Sequence, residues 1–243
     1  MKIKILFYIS GHGFGHSVRC MEVINQLFNR GDGVEVFIRT NAPRWLFEFT
    51  VNGMFNYKFV MIDVGVYQRD CFFVDKYGTI KKLRELFSIK EEIIKRELKF
   101  ISENSIQYIV GDIPPIAFEI AKKAGLPAAG IANFSWDWIY SEYTKEFPEF
   151  VEYIDKIREF YSKANVLFRL PFSGDLSCFK NIIDVPLITR KSRVPPFLVR
   201  KKFDIPLDKK VVLITLGGIS SRKFNFEEVN LDKKYYLITT DST

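Results

Sequence analysis

Histidine is nearly missing from this chain. Two are present among 243 residues, His12 and His16, and one short loop holds both. Cysteine is also scarce. Cys20, Cys71 and Cys178 are odd in number and far apart, which argues against a disulfide framework and against a zinc cluster. No apolar run approaches the roughly 18 residues that a membrane span needs. Met1-Lys2-Ile3-Lys4 passes straight into a strand-like run, so a signal peptide is not expected. The expectation is a soluble protein of the reducing cytoplasm. A Gly-Lys-Ser/Thr tripeptide is absent, which excludes a P-loop. The aromatic residues follow core periodicity rather than interleaving with basic ones, so no nucleic-acid partner is expected. The 36 basic against 29 acidic residues leave a formal charge of +7. That balance favours anionic partners such as nucleotides or phosphorylated acceptors, with peripheral membrane contact as a weaker option that the amphipathic 79–104 segment would serve.

What the chain does have is a distinctive opening. Lys2 to Ile9 is a nearly continuous apolar run, as in a strand buried on both faces. Ser10-Gly11-His12-Gly13-Phe14-Gly15-His16 follows, and then Val18, Met21, Ile24, Leu27 and Phe28 recur at helical spacing. Strand, glycine loop and helix together open a doubly wound α/β domain, whose ligands sit at the carboxyl ends of the strands. Three glycines in five residues suit a tight turn and a ligand close to the backbone. A Rossmann dinucleotide site fits poorly, since its third glycine would fall on His16 and the second strand (33–40) ends near Arg39 rather than an acid. A metal site from His12 and His16 lacks the glutamate of H-E-x-x-H, Gly13 standing in its place. Two readings remain for the loop: His16 as a general base or anion contact with His12 shaping the turn, or two structural histidines.

Further along, Asn41-Ala42-Pro43 offers a cap and a first-turn proline for a short helix through Trp45, Leu46 and Phe49. Residues 57–64 read as a third strand, 65–77 as a loop, and 79–104 as one long amphipathic helix with a mixed-charge face. Residues 107–112 form a buried strand that ends in Asp112; Ile113-Pro114-Pro115 breaks it, and helix 116–124 precedes strand 126–131. The aromatic and acidic segment Asn133 to Tyr143 comes next, then helix 150–163 and strand 166–170. This alternation predicts a parallel sheet with right-handed crossovers. Asp112 reads either as a functional carboxylate or as a turn cap. Trp136 and Trp138 lie two apart, so at least one is expected to pack inward.

A basic, proline-rich stretch, 186–206, reads as a linker between an N-terminal domain, 1–185, and a second unit, 207–243. In the latter, Lys210 to Leu216 followed by Gly217-Gly218-Ile219-Ser220 repeats the strand-and-glycine theme, and 235–240 reads as another strand. A βαβ unit takes about 30 residues or more, so the second domain is expected to be only begun here.

Taken in order, Gly11-His12-Gly13-Phe14-Gly15-His16, Gly111-Asp112-Ile113-Pro114-Pro115, Asn133-Phe134-Ser135-Trp136-Asp137 and Asp184-Val185-Pro186-Leu187 resemble GT-B fold glycosyltransferases, and most closely the glycosyltransferase-like N-terminal region of L-arabinokinase-type proteins. No kinase domain follows these motifs in the sequence, so sugar kinase activity is not implied. The resemblance implies a Rossmann-like acceptor domain with the start of a donor domain, and transfer of a sugar from a nucleotide-sugar to a hydroxyl acceptor with inversion. It implies His16 as base and Asp112 as its orienting partner. It also implies acceptor contacts from Gly11, His12, Gly13, Gly15, Asn133, Trp136 and Asp137, and donor contacts from Gly217, Gly218 and Ser220. No metal or other cofactor is expected. The alternatives are a non-catalytic sugar- or nucleotide-binding module and, because Arg39 would tolerate a 2′-phosphate, an NADP-type oxidoreductase.

Overall fold

The computed structural model describes residues 2–31, 33–70, 72–192, 194–215 and 234–239. Two compact units divide the chain, 1–67 with 75–189 and 68–74 with 190–243.

The larger unit is built on seven parallel strands in the order β3-β2-β1-β4-β5-β6-β7: β1 (Ile3–Ile9), β2 (Val34–Thr40), β3 (Phe55–Phe59), β4 (Tyr108–Asp112), β5 (Ala128–Ala132), β6 (Val166–Arg169) and β7 (Ile182–Asp184). This is a doubly wound α/β sheet, and its strand order reverses between β1 and β4. Side chains alternate across it. Leu6 and Tyr8 join one core with Phe37, Ile109 and Leu167, under α3 (Lys76–Ser88), α4 (Lys90–Asn104), α5 (Ile116–Ala124) and α7 (Phe150–Tyr161). Phe7 and Ile9 join the other with Val36 and Ile38, under Cys20, Met21 and Ile24 of α1 (Gly15–Asn29) and Leu46 and Phe47 of α2 (Arg44–Glu48). Each large side chain buried this way contributes roughly 1.5–3 kcal/mol. Beyond α1, the second face carries a groove of about 640 Å³ over β4 to β6, lined by Phe7, Val110, Ile131, Phe168, Pro186 and Leu187 among others. None of the expected site residues lines it.

Several boundaries differ from the sequence reading, each for a physical reason. The long helix 79–104 is two helices meeting at Ile89 (φ −105°, ψ 7°). The apolar phase runs through the break unchanged, Ile80 and Leu83 before it and Ile94 and Ile101 after it, so periodicity could not reveal it. Asp75 caps α3 by accepting from the Gly78 N–H at 2.8 Å. β3 stops at Phe59 because its partner β2 ends at Thr40; the Val60 N–H makes the last bond across, to the Thr40 carbonyl at 3.0 Å, and Ile62 stays buried beyond it. Pro43 is the N-cap of α2 rather than its first residue. β7 was not expected; it is a three-residue edge strand whose residues are half-buried or exposed. Arg39 does not face the glycine loop as an NADP site would need. Its guanidinium lies 3.4 Å from Glu97 and over the Phe100 ring, on the α4 side.

In the smaller unit, β8 (Lys210–Ile214) pairs in parallel with β9 (Tyr235–Thr239), α8 (Pro196–Lys202) lies within the basic, proline-rich stretch, and Gln68 forms an antiparallel bridge with Val74. No described helix is long and apolar enough to cross a membrane.

Candidate active site

The sheet ladder brings the opening loop and the end of β4 together. Ile9 pairs with Asp112, and the Ser10 N–H donates to the Asp112 carbonyl at 2.7 Å. This is the point where strand order reverses, the usual ligand crevice of such sheets. Within the loop, Gly13 takes φ +70°, and a Cβ at Gly11 would fall 2.0 Å from the Asn41 carboxamide oxygen. A side chain at Gly11 would therefore have to displace the Asn41 carboxamide, whereas around Gly15 the space is open. His16 then emerges in the first turn of α1.

His16 Nδ1 lies 2.8 Å from Asp112 Oδ1, with both side chains almost wholly buried (6% and 0% exposed). Asp112 holds more than the imidazole. Arg19 Nε donates to Oδ2 at 2.5 Å and Nη2 to Oδ1 at 2.5 Å, while the Cys20 thiol donates to Oδ2 at 3.2 Å. Burial alone would raise the Asp112 pKa; the charge and hydrogen bonds of Arg19, then those of His16, reverse that and hold it at about 2. Burial, reinforced by Asp112, pushes the Cys20 thiol well up, so it stays protonated. Arg19 Nη1 also donates to Asn133 Oδ1 at 2.9 Å, tying in the β5 end.

His12 stands edge-on to Trp136, ring centroids 5.4 Å apart, and its backbone N–H donates to Ser10 Oγ at 3.3 Å. Burial and then the charge of His16 lower its pKa to about 4, so His12 is neutral at neutral pH. Ser10 and the Trp136 indole Nε1 (3.2 Å) both donate to Asp63, whose carboxyl burial pushes upward.

His16, Asp112, His12 and Asn133 thus converge on one corner, with Gly11, Gly13 and Gly15 shaping the loop. Two expected contacts do not join them as open surface. Trp136 is 2% exposed and enclosed by His12, Phe134 and Tyr140, so it is core rather than a sugar-stacking wall. Asp137 is turned into an ion pair with Arg158 (3.0 Å) and accepts from Cys178 Sγ. Both follow from α6 (Trp136–Ser141), whose pitch aims these positions at the packed interior. Gly217, Gly218 and Ser220 lie outside the described residues. The sequence reading missed Arg19, Cys20 and Asp63. Arg19 was detectable, since three residues after His16 is the same helix face; Asp63, in an irregular stretch after β3, had no pattern to mark it. Among the described residues, no group of three or more His, Cys, Asp or Glu is placed to hold a metal ion.

Comparison with known proteins agrees with this architecture. L-arabinokinase of Arabidopsis thaliana is 32% identical over 228 residues, 93% of this chain, which spans only 22% of that relative's length. Among solved structures, Arabidopsis thaliana UGT89C1 matches with a TM-score of 0.59 at 13% identity, over 100% of this chain and 70% of that one. Phytolacca americana UGT2 complexed with UDP-2fluoro-glucose and pterostilbene matches with a TM-score of 0.59 at 11% identity, over 100% and 72%. Similarities at this identity show the fold. The sequence model described as glycosyl transferase family 1 matches residues 3–204, most of the chain. This chain belongs to glycosyl transferase family 1.

Proposed function

We propose that the larger unit is the acceptor side of an inverting, metal-independent glycosyltransferase that uses a nucleotide-sugar donor. The observation that carries the reading is the 2.8 Å contact of His16 Nδ1 with Asp112 at the β1–β4 switch point. An Nδ1–H donated to Asp112 fixes the tautomer and leaves Nε2 as the basic nitrogen. In the proposed step Nε2 takes the proton of an acceptor hydroxyl as that oxygen bonds to the anomeric carbon. The bond from that carbon to the donor's phosphate oxygen breaks, and the nucleoside diphosphate leaves with the electron pair. A single displacement inverts the anomeric centre. His12, neutral and packed on Trp136, holds the loop; the donor contacts proposed for Gly217, Gly218 and Ser220 belong to the second unit. Asp112 is the positioning carboxylate.

The test is nucleoside diphosphate release from a panel of UDP-sugars with and without hydroxyl acceptors, with NMR of the product's anomeric configuration. In the protein carrying a complete second domain, acceptor-dependent release is expected, reduced about 10²–10⁴-fold in His16→Ala. A loss under tenfold with the fold intact removes His16 from the role of base, and retained configuration overturns the single displacement.

A further inference from the structure

Arg19 has no part in the proton transfer just described, yet it makes the two shortest polar contacts to Asp112 in the corner. Its side chain is 14% exposed, and its fork grips both Asp112 oxygens while its third nitrogen holds Asn133. Oδ1 therefore receives two donors, Arg19 Nη2 and His16 Nδ1, and these two nitrogens stand 3.0 Å apart. They cannot bond each other while both donate to one oxygen, so a cation sits directly beside the imidazole.

This arrangement bears on the imidazole's charge. A buried carboxylate facing an imidazole alone favours the imidazolium and holds the proton on it. An imidazolium accepts nothing. A guanidinium on the same carboxylate offsets that pull, and its planar fork fixes both oxygens. The other groups around His16 do not supply this cation. From α1, Cys20 is a protonated thiol; from the glycine loop, His12 is neutral; from the stretch after β3, Asp63 is a carboxyl; and the β5–α6 corner offers Asn133, Phe134 and Trp136.

We propose that Arg19 is a positioning residue of the transfer site: it offsets the charge of Asp112, leaving the His16 imidazole free to accept a proton, and it aims Oδ1 at Nδ1 while anchoring the carboxylate to Asn133. Its catalytic meaning rests on His16 being the base, but the ionisation it sets can be read with no sugar present.

With two histidines in the chain, ¹⁵N-histidine labelling gives two imidazole signals, and His12→Gln assigns them. In Arg19→Gln the His16 titration midpoint is expected to rise by about one pH unit or more. Arg19→Lys, which keeps the charge without the fork, returns it most of the way. A merely structural Arg19 would lower stability in both variants without raising the midpoint, and a folded Arg19→Gln protein with an unmoved or lower midpoint overturns the proposal. Should Arg19→Gln fail to fold, the Arg19→Gln/Asp112→Asn protein leaves neither charge unpaired; its midpoint must exceed that of Asp112→Asn alone, and equality overturns the proposal. If the titrations behave as expected while His16→Ala transfers sugar normally, the Arg19 effect stands and the base assignment falls.

Discussion

Asp112 at the end of β4 and Asp137 at the start of α6 are both buried carboxylates gripped by an arginine and touched by a cysteine thiol, at the same edge of one sheet. Their settings differ. Asp112 shares its oxygens between an arginine that is itself mostly buried and an imidazole. Asp137 faces Arg158, whose side chain is half exposed, beside the packed Trp136. Similar residues thus make a buried polar cluster at one corner and a partly solvated clasp on the core at the other. The lesson is that acid and aromatic content at a strand end does not distinguish the two corners; what distinguishes them is the imidazole that shares Asp112.

Substitutions at the two corners sharpen or break that contrast. Asp112→Ala leaves Arg19 buried without its counter-ion and should cost about 3–5 kcal/mol in urea unfolding; a cost near that of Asp137→Ala would erase the distinction. Trp136→Ala should cost about 3–5 kcal/mol through the cavity it opens. A folded, fully stable Trp136→Ala protein that has lost only acceptor affinity would return Trp136 to the role of binding wall.

Acid should weaken the glycine-loop corner first. His12 has a folded pKa of about 4, below its ordinary 6.5, so folding favours its neutral form. Its contribution is full above about pH 6.5 and is lost as pH falls to 4, up to about 3 kcal/mol. Asp112, at about 2 against 3.8, adds a second loss between pH 4 and 2. Denaturant midpoints measured from pH 7 down to 4 should fall in the wild type and flatten in His12→Asn; parallel curves would assign the upper window elsewhere. Asp137→Ala is the smallest effect, about 1 kcal/mol or less, because Arg158 keeps its water. A larger loss would place Asp137 with Asp112.

Much of this architecture is legible in the sequence. Alternating buried strands and amphipathic helices specify a parallel sheet, and a carboxylate ending one strand with a histidine just after another meets it at the switch point. The companions of that pair were harder to see. Arg19 carries a helical-spacing signal, three residues after His16 on one face of α1. The direction of Trp136 and Asp137 stays open in the sequence, because composition says nothing of which way a six-residue helix turns them. The break at Ile89 left the apolar phase intact, and Asp63 reaches Trp136 from irregular chain.

The register of β1 against β4 carries a practical corollary. Because Ile9 is laddered to Asp112, the spacing of imidazole and carboxylate is dictated by neighbouring backbones and not by the many residues threaded between them. An engineer could therefore lengthen or graft surface turns within that intervening stretch, sparing Asp63, while the His16–Asp112 pair keeps its dimensions.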